Sequence, residues 1–256
     1  MNKIEQAFKN KKAFIPFVTC GYPDIDSTYN IVMAAYENGA DIIELGIPFS
    51  DPTAEGPTIQ GANYQALKNN ITTDDVFDLV VRLREKIDIP LVFMTYANVV
   101  FSYGIERFSK KCEEVGIDGV ILPDIPYEEK DEFDNVMSKY NVALISLIAP
   151  TSENRIAMIA KEAKGFIYLV SSLGVTGVRS EITTDISKMV ELIKENSSIP
   201  VAVGFGISTP EQAKKMACSS DGVIVGSAII KLITEHGKNA AKYVGQYVKT
   251  MKDAIS

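Results

Sequence analysis

A chain of 256 residues, 46% hydrophobic and 23% charged, has the make-up of an ordinary globular protein, with room for one large or two small domains. Its net charge of −7 argues against nucleic acid or an anionic membrane as the main partner, and no apolar run approaches the roughly 18 residues of a membrane helix. The single histidine, His236, excludes a histidine-rich metal site and would leave a Ser–His–Asp triad dependent on one residue in a polar stretch, so acid–base chemistry falls to Asp, Glu or Tyr.

The opening MNKIEQAFKNKK is polar and helical, unlike a signal peptide, and three scattered cysteines without disulfide or zinc spacing point to a reducing cytoplasm. Eight short, β-branched apolar runs follow: AFIPFVT (13–19), DIIEL (41–45), PLVFMT (90–95), DGVIL (118–122), VALISLI (142–148), FIYLV (166–170), PVAVG (200–204) and DGVIVG (221–226). Helical stretches lie between them, punctuated by Asp26-Ser27 and Gly39 around the first, Thr72-Thr73-Asp74-Asp75 before another, Gly116 and Gly165 ending two more, and Thr209-Pro210-Glu211 opening a later one. The runs are continuous rather than alternating, the pattern of parallel strands buried on both faces. Eight strand–helix units without a linker predict a single (β/α)₈ barrel domain over 1–256, with an extra N-terminal helix. An open doubly wound sheet is the alternative, but the Gly-x-Gly-x-x-Gly turn that usually marks it is absent after the first run. Two intervals between runs are long, after the second and the sixth, and predict long βα loops or added helices at the strand C-termini, where barrel enzymes keep their active sites. The loops after strands two, three and six are all expected to be long and to surround that mouth.

Glu44 lies inside an apolar strand. Its burial there would raise its pKa and suit it to proton transfer, unless it serves only as a structural carboxylate. Glu55 sits in the following loop on the same side, either as a second functional carboxylate or as a solvated charge. Asp51, between Ser50 and Pro52, is placed to cap or hinge that loop, and Asp124, between prolines, to orient a lid. Glycine turns at Gly204-Phe205-Gly206 and Gly226-Ser227 follow strands seven and eight, where backbone amides and a helix N-terminus make an anion site. The sixth loop, with Gly174 and Gly177, could close over a ligand. No lysine falls in any strand, which disfavours a Schiff-base aldolase, and Cys20 reads as a small hydrophobe. Carboxylates alone leave a magnesium ion open.

The segments FIPFVTCGYPD (14–24), IIELGIPFSDPTAEGPTIQGA (42–62), YANVVFSYG (96–104), LPDIPYEE (122–129), LVSSLGVTG (169–177), VGFGIS (203–208) and VGSAII (225–230) resemble, in this order and from end to end, the alpha-chain family of tryptophan synthase. The resemblance implies a (β/α)₈ barrel that cleaves indole-3-glycerol phosphate to indole and glyceraldehyde 3-phosphate without metal or cofactor. It also implies a beta-chain partner in an alpha2beta2 heterotetramer, with contact expected at loop 46–57, including Pro48, Asp51 and Pro52, and near Asn98. By resemblance Glu44 is the catalytic glutamate. Glu55 occupies the place of an aspartate that pairs with the indole N–H, so its carboxylate must be accommodated one methylene further out. Phe17, Ile59, Tyr96 and Tyr168 match pocket positions, Thr176 and Gly177 match the loop that closes on Asp51, and Gly177, Phe205, Gly206, Gly226 and Ser227 match the phosphate site. Ser172 stands where relatives often carry arginine. The rival readings are a free-standing lyase of the same chemistry, another phosphosugar lyase or isomerase, and a barrel retained mainly as an activator of the beta chain.

Overall fold

The computed structural model describes residues 2–171 and 186–256. After a short helix α1 (Lys3–Gln6), strands and helices alternate: β1 (Ala13–Thr19), α2 (Ile25–Glu37), β2 (Ile43–Gly46), α3 (Pro57–Lys68), α4 (Thr73–Arg84), β3 (Leu91–Met94), α5 (Ala97–Tyr103), α6 (Ile105–Val115), β4 (Gly119–Ile121), α7 (Asp131–Met137), β5 (Ala143–Ile148), α8 (Glu153–Lys161), β6 (Ile167–Val170), α9 (Ile186–Asn196), β7 (Val201–Gly204), α10 (Pro210–Ser219), β8 (Gly222–Val225), α11 (Ser227–His236) and α12 (Ala240–Ile255). The eight strands are parallel and close in sequence order, with β1 pairing both β2 and β8. Seven of them are buried throughout, as expected of strands lined by side chains within and helices without. β5 differs: Ala143, Leu144, Ser146 and Leu147 are only partly covered.

The extra length after β2 resolves into a ten-residue stretch, 47–56, and an added helix, α3. The expectation of a long loop after β3 is corrected. Only Thr95 and Tyr96 separate β3 from α5, because Asp124 accepts the Ala97 N–H and pins the helix start. Two helix-end assignments also shift. The first long helix is capped by Asp24, whose carboxylate accepts the Ser27 N–H at 2.7 Å, rather than opened at Asp26-Ser27. Gly165 does not end α8, which stops at Lys161, but turns the chain into β6 at φ +67°. Thr72 with Asp75 and Thr209 with Gln212 form capping boxes, and Gly116 closes α6 in the left-handed conformation.

One end of the barrel is sealed. Ile4 of α1, 1% exposed, reaches beneath Gly119 and Gly165, and Phe8 lies against Phe166 with ring centroids 5.9 Å apart. Around this end three aspartates standing just before β2, β4 and β8 repeat one device. Asp41 accepts the Phe14 N–H, Asp118 the Leu91 N–H and Asp221 the Val201 N–H. Each also meets a cation: Lys11 and Lys252, Arg84, and Lys194 respectively. Substrate access is therefore left to the C-terminal end of the strands.

Asp41 is the most enclosed of the three and holds both Lys252 Nζ, at 2.7 Å, and Lys11 Nζ, at 2.6 Å. Asp41→Ala would strand the buried Phe14 N–H and the largely covered Lys252 ammonium. Part of that loss is recovered because Lys11 is half exposed and returns to water. The expected cost is about 2 kcal/mol of unfolding free energy in denaturant titration, with turnover unchanged.

Candidate active site at the barrel mouth

Alternation along β2 places Ile43 and Leu45 against the helical layer and turns Glu44 inward, in register with Phe17 of β1 and Val92 of β3. Glu44 is 1% exposed, and its Oε2 has no hydrogen-bond partner among the described residues. Burial raises its carboxyl to about 8, with the charge of Glu55 adding to the rise. Phe17, Met94, Tyr168 and Ile224 from the strands, Ile59 from α3, and the turns at Gly206 and Gly226-Ser227 enclose a small cavity around it. Two rings press on neighbouring backbone. A Cβ on Gly204 would stand 2.6 Å from Tyr168 Cε1, and one on Gly46 would stand 2.7 Å from Phe17 Cζ, so glycine is what lets these rings into the barrel.

Glu55, 4% exposed, enters from the stretch after β2. A turn brings its N–H to the Pro52 carbonyl. From α3, Gln60 donates to the Glu55 carbonyl at 2.7 Å and Asn63 donates to its Oε2 at 2.6 Å. Burial raises the Glu55 carboxyl to about 7, against the lowering effect of the Asn63 hydrogen bond. The expected alternative of a solvated loop charge is thereby corrected, because α3 folds back over the carboxylate. Tyr96 accepts the Ala54 N–H at 3.1 Å and stacks on Phe49 with centroids 5.1 Å apart, tying this stretch to the start of α5. The Tyr96 phenol is pushed up by burial and by Glu55, and that of Tyr168 by burial and by Glu44.

Phe205 and Gly206 both take left-handed backbone conformations, at φ 72° and 83°. That is unusual for a bulky residue. The turn is held by Ser171, whose hydroxyl donates to the Phe205 carbonyl at 2.6 Å. The Phe205 ring stands edge-on to Tyr168 and lines both the Glu44 cavity and a larger one of about 450 Å³, whose wall includes Ala54, Pro123, Leu147 and Val170. Gly226 is the N-cap of α11 with no side-chain cap, so the first-turn amides of that helix, including Ser227, face the smaller cavity uncapped.

Among the site positions read from sequence, Glu44, Phe17, Ile59, Tyr168, Phe205, Gly206, Gly226 and Ser227 meet in one cavity, with Glu55 and Tyr96 beside it. Asp124 binds the α5 start, and Asp51, exposed, takes the Ser50 hydroxyl. Thr176 and Gly177, with Ser172, lie outside the described residues. Pro48 and Pro52 are buried within this chain, leaving Ser50, Asp51, Thr53, Pro57 and Asn98 as the exposed positions of loop 46–57 and its neighbour. Reading the sequence missed Met94, Ile224 and above all Asn63, although Asn63 shares a helical stripe with Ile59, Ala62 and Ala66, where a polar residue asks for a partner. Cys20 is fully buried and its thiol is pushed up by burial. His236 ends α11 stacked on Tyr243. Among the described residues no group of three His, Cys, Asp or Glu is placed to hold a metal ion, and no helix is long and apolar enough to cross a membrane.

The Glu44 shift has a thermodynamic consequence. An unfolded glutamate ionises near its ordinary 4.5, so between that pH and about 8 the folded chain retains a proton that the unfolded chain has lost. Stability therefore falls as pH rises through this window. Glu44→Gln should match wild type near pH 4.5. At pH 8.5 it should exceed wild type by on the order of 2 kcal/mol in chemical denaturation.

The family model described as "Tryptophan synthase alpha chain" matches residues 4–256. The tryptophan synthase alpha chain of Caldanaerobacter subterraneus subsp. tengcongensis is 49% identical, with all of both chains covered. A solved structure from Aquifex aeolicus VF5 superposes with a TM-score of 0.91 at 40% identity, covering 100% of this chain and 99% of that one. A chain of the tryptophan synthase complex from Pyrococcus furiosus superposes with a TM-score of 0.86 at 35% identity, covering 94% of this chain and 98% of its own. A buried carboxyl in a closed eight-stranded barrel, uncapped amides beside it and these matches along the whole length lead to one statement: this chain belongs to the tryptophan synthase alpha chain family.

Proposed function

We propose that the chain is the lyase subunit of tryptophan synthase, a single barrel domain that cleaves indole-3-glycerol phosphate to indole and glyceraldehyde 3-phosphate and passes the indole to a beta chain. The observation that carries the reading is the buried Glu44 carboxyl, whose Oε2 has no hydrogen-bond partner among the described residues and whose pKa is raised by burial and by the second carboxylate.

The protonated Glu44 gives its proton to C3 of the indole. The ring becomes cationic, with the charge greatest near nitrogen, and the Glu55 carboxylate stabilises that charge as it forms. The Glu44 carboxylate then takes the proton of the side-chain hydroxyl. The carbon–carbon bond breaks as its electrons return to the ring, leaving indole, an aldehyde and a reprotonated Glu44. The substrate's phosphate, remote from that bond, sits on the amides at Gly206 and Gly226-Ser227. The α11 N-terminus supplies there the attraction that a net negative chain lacks overall.

The beta chain docks over the mouth, on the exposed Asp51 and Asn98 side of loop 46–57. The Pyrococcus furiosus match, a chain of a tryptophan synthase complex, supports a partner of this kind. Assembly as an alpha2beta2 tetramer places the released indole, small and membrane-permeable, beside its consumer.

Glu44→Gln should fold and lose at least about 100-fold in kcat for indole release, the scale of removing a general acid–base group, and Glu55→Ala should lose most of its turnover at saturating substrate. Turnover within a few-fold of wild type in Glu44→Gln would overturn the assignment. The pH profile supplies an independent check. The rate should rise through about 7 as Glu55 ionises and fall through about 8 as Glu44 gives up its proton, a narrow bell whose two limbs belong to the pair.

A further inference from the structure

Asn63 is buried in the second turn of α3 and reaches back to Glu55, eight positions earlier. Its carboxamide has little freedom. The oxygen accepts the Phe49 N–H at 3.4 Å, while the nitrogen donates to Glu55 Oε2 at 2.6 Å and to the Ile59 carbonyl at 3.2 Å. The last two partners accept hydrogen bonds, and turning the amide over would set its oxygen against both and its NH₂ against an N–H. Asn63 is therefore locked as a donor toward Glu55. A donated hydrogen bond favours the charged form of a carboxyl group. Glu44 Oε2, by contrast, is buried and receives no hydrogen bond from the described residues.

We propose that Asn63 is a positioning residue that decides which of the two carboxyls is ionised: it holds Glu55 as the carboxylate and leaves the proton on Glu44. The proposal rests on the reading of Glu44 as the acid and Glu55 as the counter-charge. It explains how two carboxyls of the same residue type, in one apolar mouth, take opposite roles. It also gives the longer side chain at position 55 an anchor, since the end of that chain is where Asn63 grips.

The other groups facing the pair do not supply the asymmetry. Glu55 is met by Glu44 from β2 and by Tyr96 from the turn before α5, with Asp124 behind that phenol, and Glu44 is met by Tyr168 from β6. Both phenols are raised above their ordinary range and stay neutral at the pH of catalysis. The described lining of the Glu44 cavity contains no lysine, arginine or histidine.

The test is a titration of the full chain labelled with ¹³C at the glutamate carboxyls, with signals assigned through Glu44→Gln and Glu55→Gln. Expected in wild type is ionisation of Glu55 before Glu44, and the reverse order overturns the proposal without needing any variant of Asn63 to fold. In Asn63→Leu, which keeps the volume and removes the donor, the Glu55 titration and the acid limb of kcat should both move up by about one pH unit, the scale of one lost hydrogen bond to a charged group. If neither moves while Glu44→Gln and Glu55→Ala are inactive, the lyase reading stands and the role of Asn63 is refuted. If the order and the shift are seen but those two variants keep their turnover, the role of Asn63 stands and the catalytic reading fails.

Discussion

Two carboxyl groups lie close enough to repel inside an apolar mouth, and among the described residues no cation is placed between them. Water would normally absorb such a conflict, and here the barrel excludes it. The remaining resolution is chemical: one group keeps a proton at a pH where an ordinary glutamate has long lost it. Everything built around the pair serves that state. Phe17, Ile59 and Tyr168 keep the surroundings apolar, and α3 folds back to cover Glu55.

The two ends of the barrel handle charge in opposite ways. At the sealed end Asp41, Asp118 and Asp221 each satisfy a strand N–H and a cation together, so their charges are neutralised locally and stiffen the starts of β1, β3 and β7. At the mouth Glu44 and Glu55 have no cationic partner among the described residues. That makes the mouth a thermodynamic liability and gives it its reactivity. Stability is concentrated at one end and chemistry at the other, consistent with the division of labour of this fold.

Much of this was legible in the residues. Continuous apolar runs announced parallel strands, and several began with the aspartates of the sealed end. Glu44 stood out because a charge inside such a run is costly unless it works. Other features depended on tertiary contacts that no local pattern carries. The short turn after β3 exists because Asp124 arrives from the next unit to cap α5. Glu55 is buried because a helix that follows it folds back over it, which the loop sequence does not encode. Asn63 went unnoticed beside the louder glutamates, although an amide on an otherwise apolar stripe was a readable sign.

Tyr168 and Phe17 enter the barrel only because their neighbours across the sheet, Gly204 and Gly46, have no side chain. Each ring and its glycine thus form a lock whose halves cannot drift independently over evolutionary time. A lineage could gain a side chain at 204 only after the ring at 168 had shrunk, and would pass through an intermediate with a hole beside Glu44. The order of substitutions is constrained as well as their identity, so the pocket can be reshaped along few mutational paths even where many end points would be compatible with the fold.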